Sequence, residues 1–171
     1  MIMKTTEMLA EEMPLTQRKE ELKKMADAYE GKHAPQVELQ DQRALYHLMP
    51  PAGWLNDPNG LCWYKGRYHV FFQYSPFTPQ GGMKMWGHYS SPDLLHYEYH
   101  GIAIVPDEAY DRDGVYSGSA ICRGDKLYVF YTGNVKEKGD HDYILSGRGA
   151  NVIRMESELS LIHISEPTRL D

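Results

Sequence analysis

Two textures of apolar residue divide this chain. From Thr16 to Glu30, Leu22, Met25, Ala26 and Tyr29 follow the i, i+3, i+4, i+7 spacing of one helical face, with Lys and Glu on the rest. Thr16 is placed to cap this helix and Gly31 to end it, and His33 to Gln40, with Pro35, reads as a linker. From Tyr46 onward the pattern changes to short aromatic and β-branched runs broken by Gly, Pro, Asn and Asp, the texture of strands. Leu61–Tyr64 and Tyr68–Tyr74 flank Lys65-Gly66-Arg67 as a tight hairpin, and Ser119–Cys122 and Leu127–Tyr131 flank Arg123-Gly124-Asp125-Lys126 as another. The two are related, because Val70-Phe71-Phe72 returns as Val129-Phe130-Tyr131 59 residues later. A hairpin repeated with polar loops between its copies marks propeller blades. Blades repeat every 40–50 residues or so, which leaves room for about two between Tyr46 and Arg154. The predicted organisation is a helical extension and linker over 1–40, a partial propeller over 41–155 and a tail over 156–171.

The most informative stretch is Trp54-Leu55-Asn56-Asp57-Pro58-Asn59-Gly60. Asp57-Pro58 and Asn59-Gly60 are both turn-forming pairs, and together they predict a chain reversal just before Leu61-Cys62-Trp63-Tyr64. Proline fixes its own φ and restricts the residue before it, so the Asp57 carboxylate is expected on a stiff support. Trp54 and Trp63 add flat apolar surface on either side. A rigid carboxylate among aromatic rings suits a sugar site, where ring faces stack and one acid does the covalent chemistry. An ordinary surface turn fits the same residues equally well.

Composition narrows the class. The chain has 171 residues, 42% of them hydrophobic, with 13 tyrosines, so a folded aromatic-rich protein with a real core is expected. A net charge of −6 without a basic run gives no reason to expect nucleic acid or a membrane as partner. Met1 to Glu7 has no long apolar segment after its lysine, so the expected location is cytoplasmic. Cys62 and Cys122, both in apolar runs, read as reduced thiols.

The Trp54–Gly60 string resembles the signature of glycoside hydrolase family 32, the invertase, sucrose-6-phosphate hydrolase and fructanase group. Leu55 stands where that family usually has Met. Phe71-Phe72-Gln73-Tyr74, Trp86-Gly87-His88, Ser91-Pro92-Asp93-Leu94 and Tyr116-Ser117-Gly118-Ser119 are similar to the family's next motifs and come in the same order. The resemblance implies an all-β fold made of the first blades of an incomplete five-bladed β-propeller. A short N-terminal helix precedes the blades, and the family's C-terminal β-sandwich is absent. The run Glu156 to Asp171 resembles translated adapter read-through, so it is expected to be a non-native tail without function.

Retaining glycosidases use one carboxyl group to attack the anomeric carbon and a second to protonate the leaving oxygen. The resemblance maps the nucleophile onto Asp57 and substrate contacts onto Trp54, Leu55, Asn56, Gln73, Trp86, Tyr116 and Ser117. For Gln73 a hydrogen bond to neighbouring backbone is the alternative to a sugar hydroxyl, and for Trp86 the alternative is core packing. Tyr116 replaces the family's usual Phe and adds a phenol to the pocket. Asp93, in a common turn opener, is read as structural. Asp107, Glu108, Asp111 and Asp113 read as a solvated acidic loop, and Asp140-His141-Asp142 as a surface loop, so no metal and no cofactor are expected. The family's acid/base, a Glu followed by Cys, and its Arg-Asp-Pro motif do not occur in this sequence.

The implied activity is retaining hydrolysis of terminal β-D-fructofuranosides, sucrose or sucrose 6-phosphate, by a longer parent enzyme of which this chain is an inactive front part. Sugar substrates, fructo-oligosaccharides included, are the only partners expected. A noncatalytic sugar-binding fragment and a fructosyltransferase on the same scaffold are the competing readings.

Overall fold

The computed structural model describes residues 12–157 and 167–170. Its elements are helix α1 (Leu15–Glu38) and strands β1 (Trp54–Tyr64), β2 (Arg67–Ser75), β3 (Met85–Ser91), β4 (Glu98–Ile104), β5 (Val115–Arg123), β6 (Lys126–Lys136), β7 (Arg148–Ser157) and β8 (Thr168–Leu170). The strands form two four-stranded antiparallel sheets, β1-β2-β3-β4 and β5-β6-β7-β8, each in sequence order. The architecture is therefore all-β apart from the helix.

Both predicted hairpins are present with two-residue turns. Lys65 and Gly66 both take positive φ (48° and 79°), the conformation whose twist matches the flanking strands. In the second hairpin only Gly124 does so (61°), with Asp125 following.

Helix α1 differs from the sequence expectation at both ends. Pro14 occupies the N-cap position without a side-chain bond, and the helix runs through Gly31 and Pro35 to Glu38, taking in most of the expected linker. Tertiary bonds explain the overrun. Glu30, buried one residue before Gly31, accepts hydrogen bonds from the Tyr74 hydroxyl (2.7 Å) and the Tyr99 hydroxyl (2.9 Å). Arg18 at the other end donates to the Arg112 carbonyl (2.9 Å). The buried face is Arg18, Leu22, Ala26 and Glu30, four residues apart, while Met25 and Tyr29 are half-buried beside it. Packing fixes a helix more firmly than local propensity does.

The first sheet is covered on both faces. One face packs against α1, with Leu22 and Ala26 meeting Phe72, Tyr74, Met85, Tyr89 and Ile102. The other face meets the second sheet, where Tyr64, Phe71, Trp86 and Ile104 join Val115, Leu127, Val129, Tyr131, Ile153 and Met155. Phe71 and Phe72 thus point into different cores, as neighbours on a strand must. All seven residues of β3 are buried. The outer face of the second sheet leaves Ile121 and Val152 more than half exposed.

The boundary expected at 155/156 falls inside β7, which ends at Ser157, and Thr168–Leu170 pairs antiparallel with Val152–Arg154. Residues 158–166 and 171 of the expected tail lie outside the described residues.

Candidate functional site

The Trp54–Gly60 segment does not reverse the chain. It is part of β1, which carries the string through as an edge strand interrupted by two register shifts. Asn56 pairs with Gln73 and Pro58 with Phe72, so Asp57 is the extra residue of a β-bulge. An edge strand tolerates the missing N–H of Pro58, and a bulge re-aims the residue it ejects. The second shift contains Gly60 at φ +54°, packed so close to Phe71 that a Cβ would lie 2.8 Å from its ring. The stiff support expected from turn chemistry comes instead from a bulged edge strand.

Four polar side chains close a ring around that bulge. The Ser117 hydroxyl donates to Asp57 Oδ2 (2.6 Å), and Asn56 Nδ2 donates to Asp57 Oδ1 (3.0 Å). Gln73 Nε2 donates to Ser117 Oγ (3.1 Å), and Asn56 Nδ2 also reaches Gln73 Oε1 (3.5 Å). β1, β2 and β5 each contribute, so the ring bridges the two sheets. Asp57, Asn56 and Ser117 are exposed, whereas Gln73 is buried with its amide satisfied inside the ring. Two donors to one carboxylate fix its orientation and leave lone pairs available to an incoming electrophile.

Asn59 holds this ring in place. Its amide donates to the Asp57 carbonyl (2.8 Å), and its Oδ1 accepts from the Gly118 N–H (2.9 Å). Gly118 is obligatory here, because a Cβ would sit 1.9 Å from the Phe130 carbonyl oxygen. Trp63 and Cys122, also 59 residues apart, make the parallel contact further along the strands, with the Cys122 thiol donating to the Trp63 carbonyl (3.3 Å). The repeat seen in the sequence is thus the spacing at which β1 and β5 meet.

The aromatic candidates separate into two groups. Trp54 and Tyr116 are half-buried at the rim, with Lys84 Nζ 4.9 Å from a Trp54 ring and the Arg148 guanidinium 5.2 Å from the Tyr116 ring. Leu55, also half-buried, packs toward the helix-side core. Trp86, expected to cover a sugar face, is fully buried between Phe71 and Tyr131 and donates its indole N–H to the Tyr116 carbonyl (3.1 Å). Its ring is a core element that positions β5.

Other acidic groups resolve plainly. Asp93 caps its own turn, accepting from the His96 N–H (2.8 Å), the His96 ring (2.7 Å) and the Leu95 N–H (2.9 Å), and these bonds hold its carboxyl well below the usual range. Asp142 likewise accepts from the N–H groups of Ile144, Leu145 and Ser146. Among the described residues no group of three or more His, Cys, Asp or Glu could hold a metal ion. Cys62 and Cys122 are free and half-buried, and burial with Cys122 alongside pushes the Cys62 thiol up to about 12.

Asp111 overturns the expectation of a solvated acidic loop. It is fully buried, accepting from the Tyr131 hydroxyl (2.6 Å) and the Glu108 N–H (2.9 Å), and burial raises its carboxyl to about 7. The pair His69 and His88 in the first sheet, linked Nδ1 to Nε2 at 3.0 Å, moves the other way, with burial holding His88 down at about 3. The two shifts have opposite linkage. Stability from the buried neutral histidine is present above its unfolded value of about 6.5 and is lost as pH falls toward 3. Stability from Asp111 is full below its unfolded value of about 3.9 and is lost as pH rises through 7. Comparing wild type with Asp111→Asn isolates the second effect. The stability of wild type relative to the variant should fall between about pH 5 and about pH 8 in urea unfolding. A difference that stays constant or moves the other way would sink this account.

The family described as "Glycosyl hydrolases family 32 N-terminal domain" matches residues 47–157. The sucrose-6-phosphate hydrolase of Bacillus subtilis (strain 168) is 44% identical over 124 residues, 72% of this chain and 26% of its own length. The raffinose invertase of Escherichia coli is 45% identical over 102 residues, 58% and 21%. Among solved structures, sucrose-6-phosphate hydrolase from Lactobacillus gasseri matches with a TM-score of 0.68 and 38% identity, covering 82% of this chain and 28% of that one. A Bombyx mori GH32 beta-fructofuranosidase mutant in complex with sucrose matches with a TM-score of 0.68 and 32% identity, covering 81% and 28%. The chain spans about a quarter of the length of the curated relatives it matches.

Proposed function

This chain belongs to glycosyl hydrolase family 32, and we propose that it is the front part of a cytoplasmic retaining β-fructofuranosidase with Asp57 as nucleophile. The observation that carries the proposal is the ring Asp57–Ser117–Gln73–Asn56, which places one accessible carboxylate at a bulge and surrounds it with groups able to bind sugar hydroxyls. The two sheets are read as the first two blades of the propeller, and the half-exposed Ile121 and Val152 as the face on which a third blade packs.

On this reading an Asp57 oxygen attacks the anomeric carbon of the fructosyl unit. The new C–O bond forms as the bond to the leaving-group oxygen breaks, and that oxygen takes a proton from a second carboxyl group. Water then attacks the anomeric carbon, giving a proton back to that second group as the bond to Asp57 breaks, and the Asp57 carboxylate returns with net retention. Asn56, Gln73 and Ser117 exchange bonds within their ring for bonds to the sugar, and Trp54 and Tyr116 line the rim, while Leu55 packs toward the helix-side core. The second carboxyl group belongs to the part of the enzyme beyond this chain, so the chain alone does not turn over sucrose.

Trapping tests the assignment. The longer enzyme is quenched with substrate bound, and the fructosylated peptide is mapped by mass spectrometry. Label on the peptide containing Asp57 is expected. Label on any other peptide removes Asp57 as nucleophile.

A further inference from the structure

β1 and β5 run side by side in the same direction along the seam between the sheets. Asp57 binds Ser117, Asn59 binds Gly118 and Trp63 binds Cys122, pairs 59 or 60 residues apart. A Cβ built on Gly60 would lie 3.4 Å from the Ala120 Cβ, so positions 60 and 120 face each other across the seam. Cys62 and Cys122 are each two residues further along, and a strand repeats its facing every second residue. Burial follows the same alternation. Leu61, Trp63 and Ile121 are more than half exposed, whereas Cys62, Ala120 and Cys122 all pack against the core shared by the two sheets.

The two thiols are therefore neighbours, within hydrogen-bonding reach of one another. The seam is pinned on both sides of them. Asn59 accepts from the Gly118 N–H (2.9 Å) on one side, and the Tyr64 hydroxyl donates to the Asp125 carbonyl (2.5 Å) on the other. Between these pins the Cys122 thiol reaches the Trp63 carbonyl (3.3 Å), a weak bond because sulfur is a poor donor. A disulfide joins Cβ atoms about 3.8 Å apart, and the seam is already that narrow one step earlier, at Gly60 and Ala120. Both cysteines are free and half-buried, with the exposed Trp63 and Ile121 beside them, so a small oxidant can reach the pair.

We propose that Cys62 and Cys122 form a redox modification site, closing to a disulfide that fastens β1 to β5 and reopening under reducing conditions. The oxidant is a low-molecular-weight disulfide such as glutathione disulfide. The Cys122 thiolate attacks one of its sulfurs, the S–S bond breaks, and a glutathione thiolate leaves and takes the proton that Cys122 had lost. The Cys62 sulfur then attacks the Cys122 sulfur and breaks the mixed disulfide. The second glutathione thiolate leaves with the proton that Cys62 gives up. Two protein thiols lose two electrons, and one glutathione disulfide becomes two glutathione thiols. Cys122 attacks first, because burial keeps the Cys62 thiol protonated up to about 12. The bridge spans 60 residues of chain, so it removes freedom from the unfolded state and stabilises the folded one. It requires nothing of the ligand at Asp57.

Glutathione redox buffers test this on the 171-residue chain, once under native conditions and once in denaturing urea. Samples are quenched with acid, and their peptides are mapped without reduction by mass spectrometry. Under native conditions the Cys62 peptide should be joined to the Cys122 peptide, with an equilibrium constant at least about tenfold larger than in urea. The oxidised chain should melt at least about 5 °C above the reduced one, and dithiothreitol should reverse both changes. Cys62→Ser should stop at the glutathione adduct of Cys122, and Cys122→Ser should neither cross-link nor gain stability. A bridge no more favourable in the folded chain than in urea would overturn the proposal, since the fold would then not be bringing the thiols together. Disulfide-linked dimers in place of the internal bridge would overturn it too, as would a melting temperature that oxidation leaves unchanged.

Discussion

Replacing Asp57 by asparagine in the longer enzyme should lower kcat by a factor on the order of 10⁴ or more, the scale seen when a group acting directly in covalent catalysis is removed. The variant should keep its fold and most of its affinity for substrate. The hydrogen-bonded ring explains both halves of this expectation. An asparagine at position 57 can keep its carbonyl oxygen toward the Asn56 amide and turn its own amide toward Ser117 Oγ. That hydroxyl already accepts from Gln73 and has a second lone pair to offer. The bulge, the Asn59 bonds to the Asp57 carbonyl and the Gly118 N–H, and the Gly60–Phe71 packing involve backbone or other residues, so they are untouched. What is lost is an oxygen able to form a fructosyl ester and to leave again. Turnover, substrate affinity and thermal melting are measured together. A fall in kcat with unchanged melting and affinity is the expected pattern. Near-normal turnover would remove Asp57 from the chemistry. Collapse of the melting temperature would make the residue structural.

Elements whose information is local were legible in the sequence. Lys65-Gly66 and Gly124-Asp125 turn where they were expected to, because positive φ at glycine is written in the residue type. The 59-residue repeat was legible too, since both copies carry the same apolar strand. What it meant became visible only when Asn59 met Gly118 and Trp63 met Cys122.

Features decided by distant partners were not. Asp57-Pro58 reads as a turn from the pair alone, and only the pairing of β1 with β2 makes it a bulge. Helix α1 passes Gly31 because Tyr74 and Tyr99, 44 and 69 residues from Glu30, grip it there. Asp111 looked solvated among its acidic neighbours, and Tyr131 draws it inside. In each case the missing information is a contact that the topology creates.

Trp86 shows what such a contact can be worth. Trp86→Ala should destabilise the chain by about 3–5 kcal/mol, as loss of a large buried aromatic does. Set against a total of about 5–15 kcal/mol for a domain, that loss is enough to leave much of the protein unfolded at moderate temperature. The ring is fully buried, with centroids 5.8 Å from Phe71 in its own sheet and 6.2 Å from Tyr131 in the other, so its removal empties the seam between the sheets. The indole N–H bond to the Tyr116 carbonyl (3.1 Å) is lost as well, which loosens β5 one residue before Ser117. The damage should therefore reach the Asp57 ring without any direct contact. Trp86→Phe separates the two parts. It keeps most of the packing, removes the donor, and should cost about 1–3 kcal/mol, the price of leaving a buried acceptor unmet. Urea unfolding followed by far-UV circular dichroism gives both numbers. Had Trp86 been a sugar-facing ring, both variants would unfold like wild type and fail only in substrate affinity. An alanine variant within about 1 kcal/mol of wild type would restore that reading and take Trp86 out of the core.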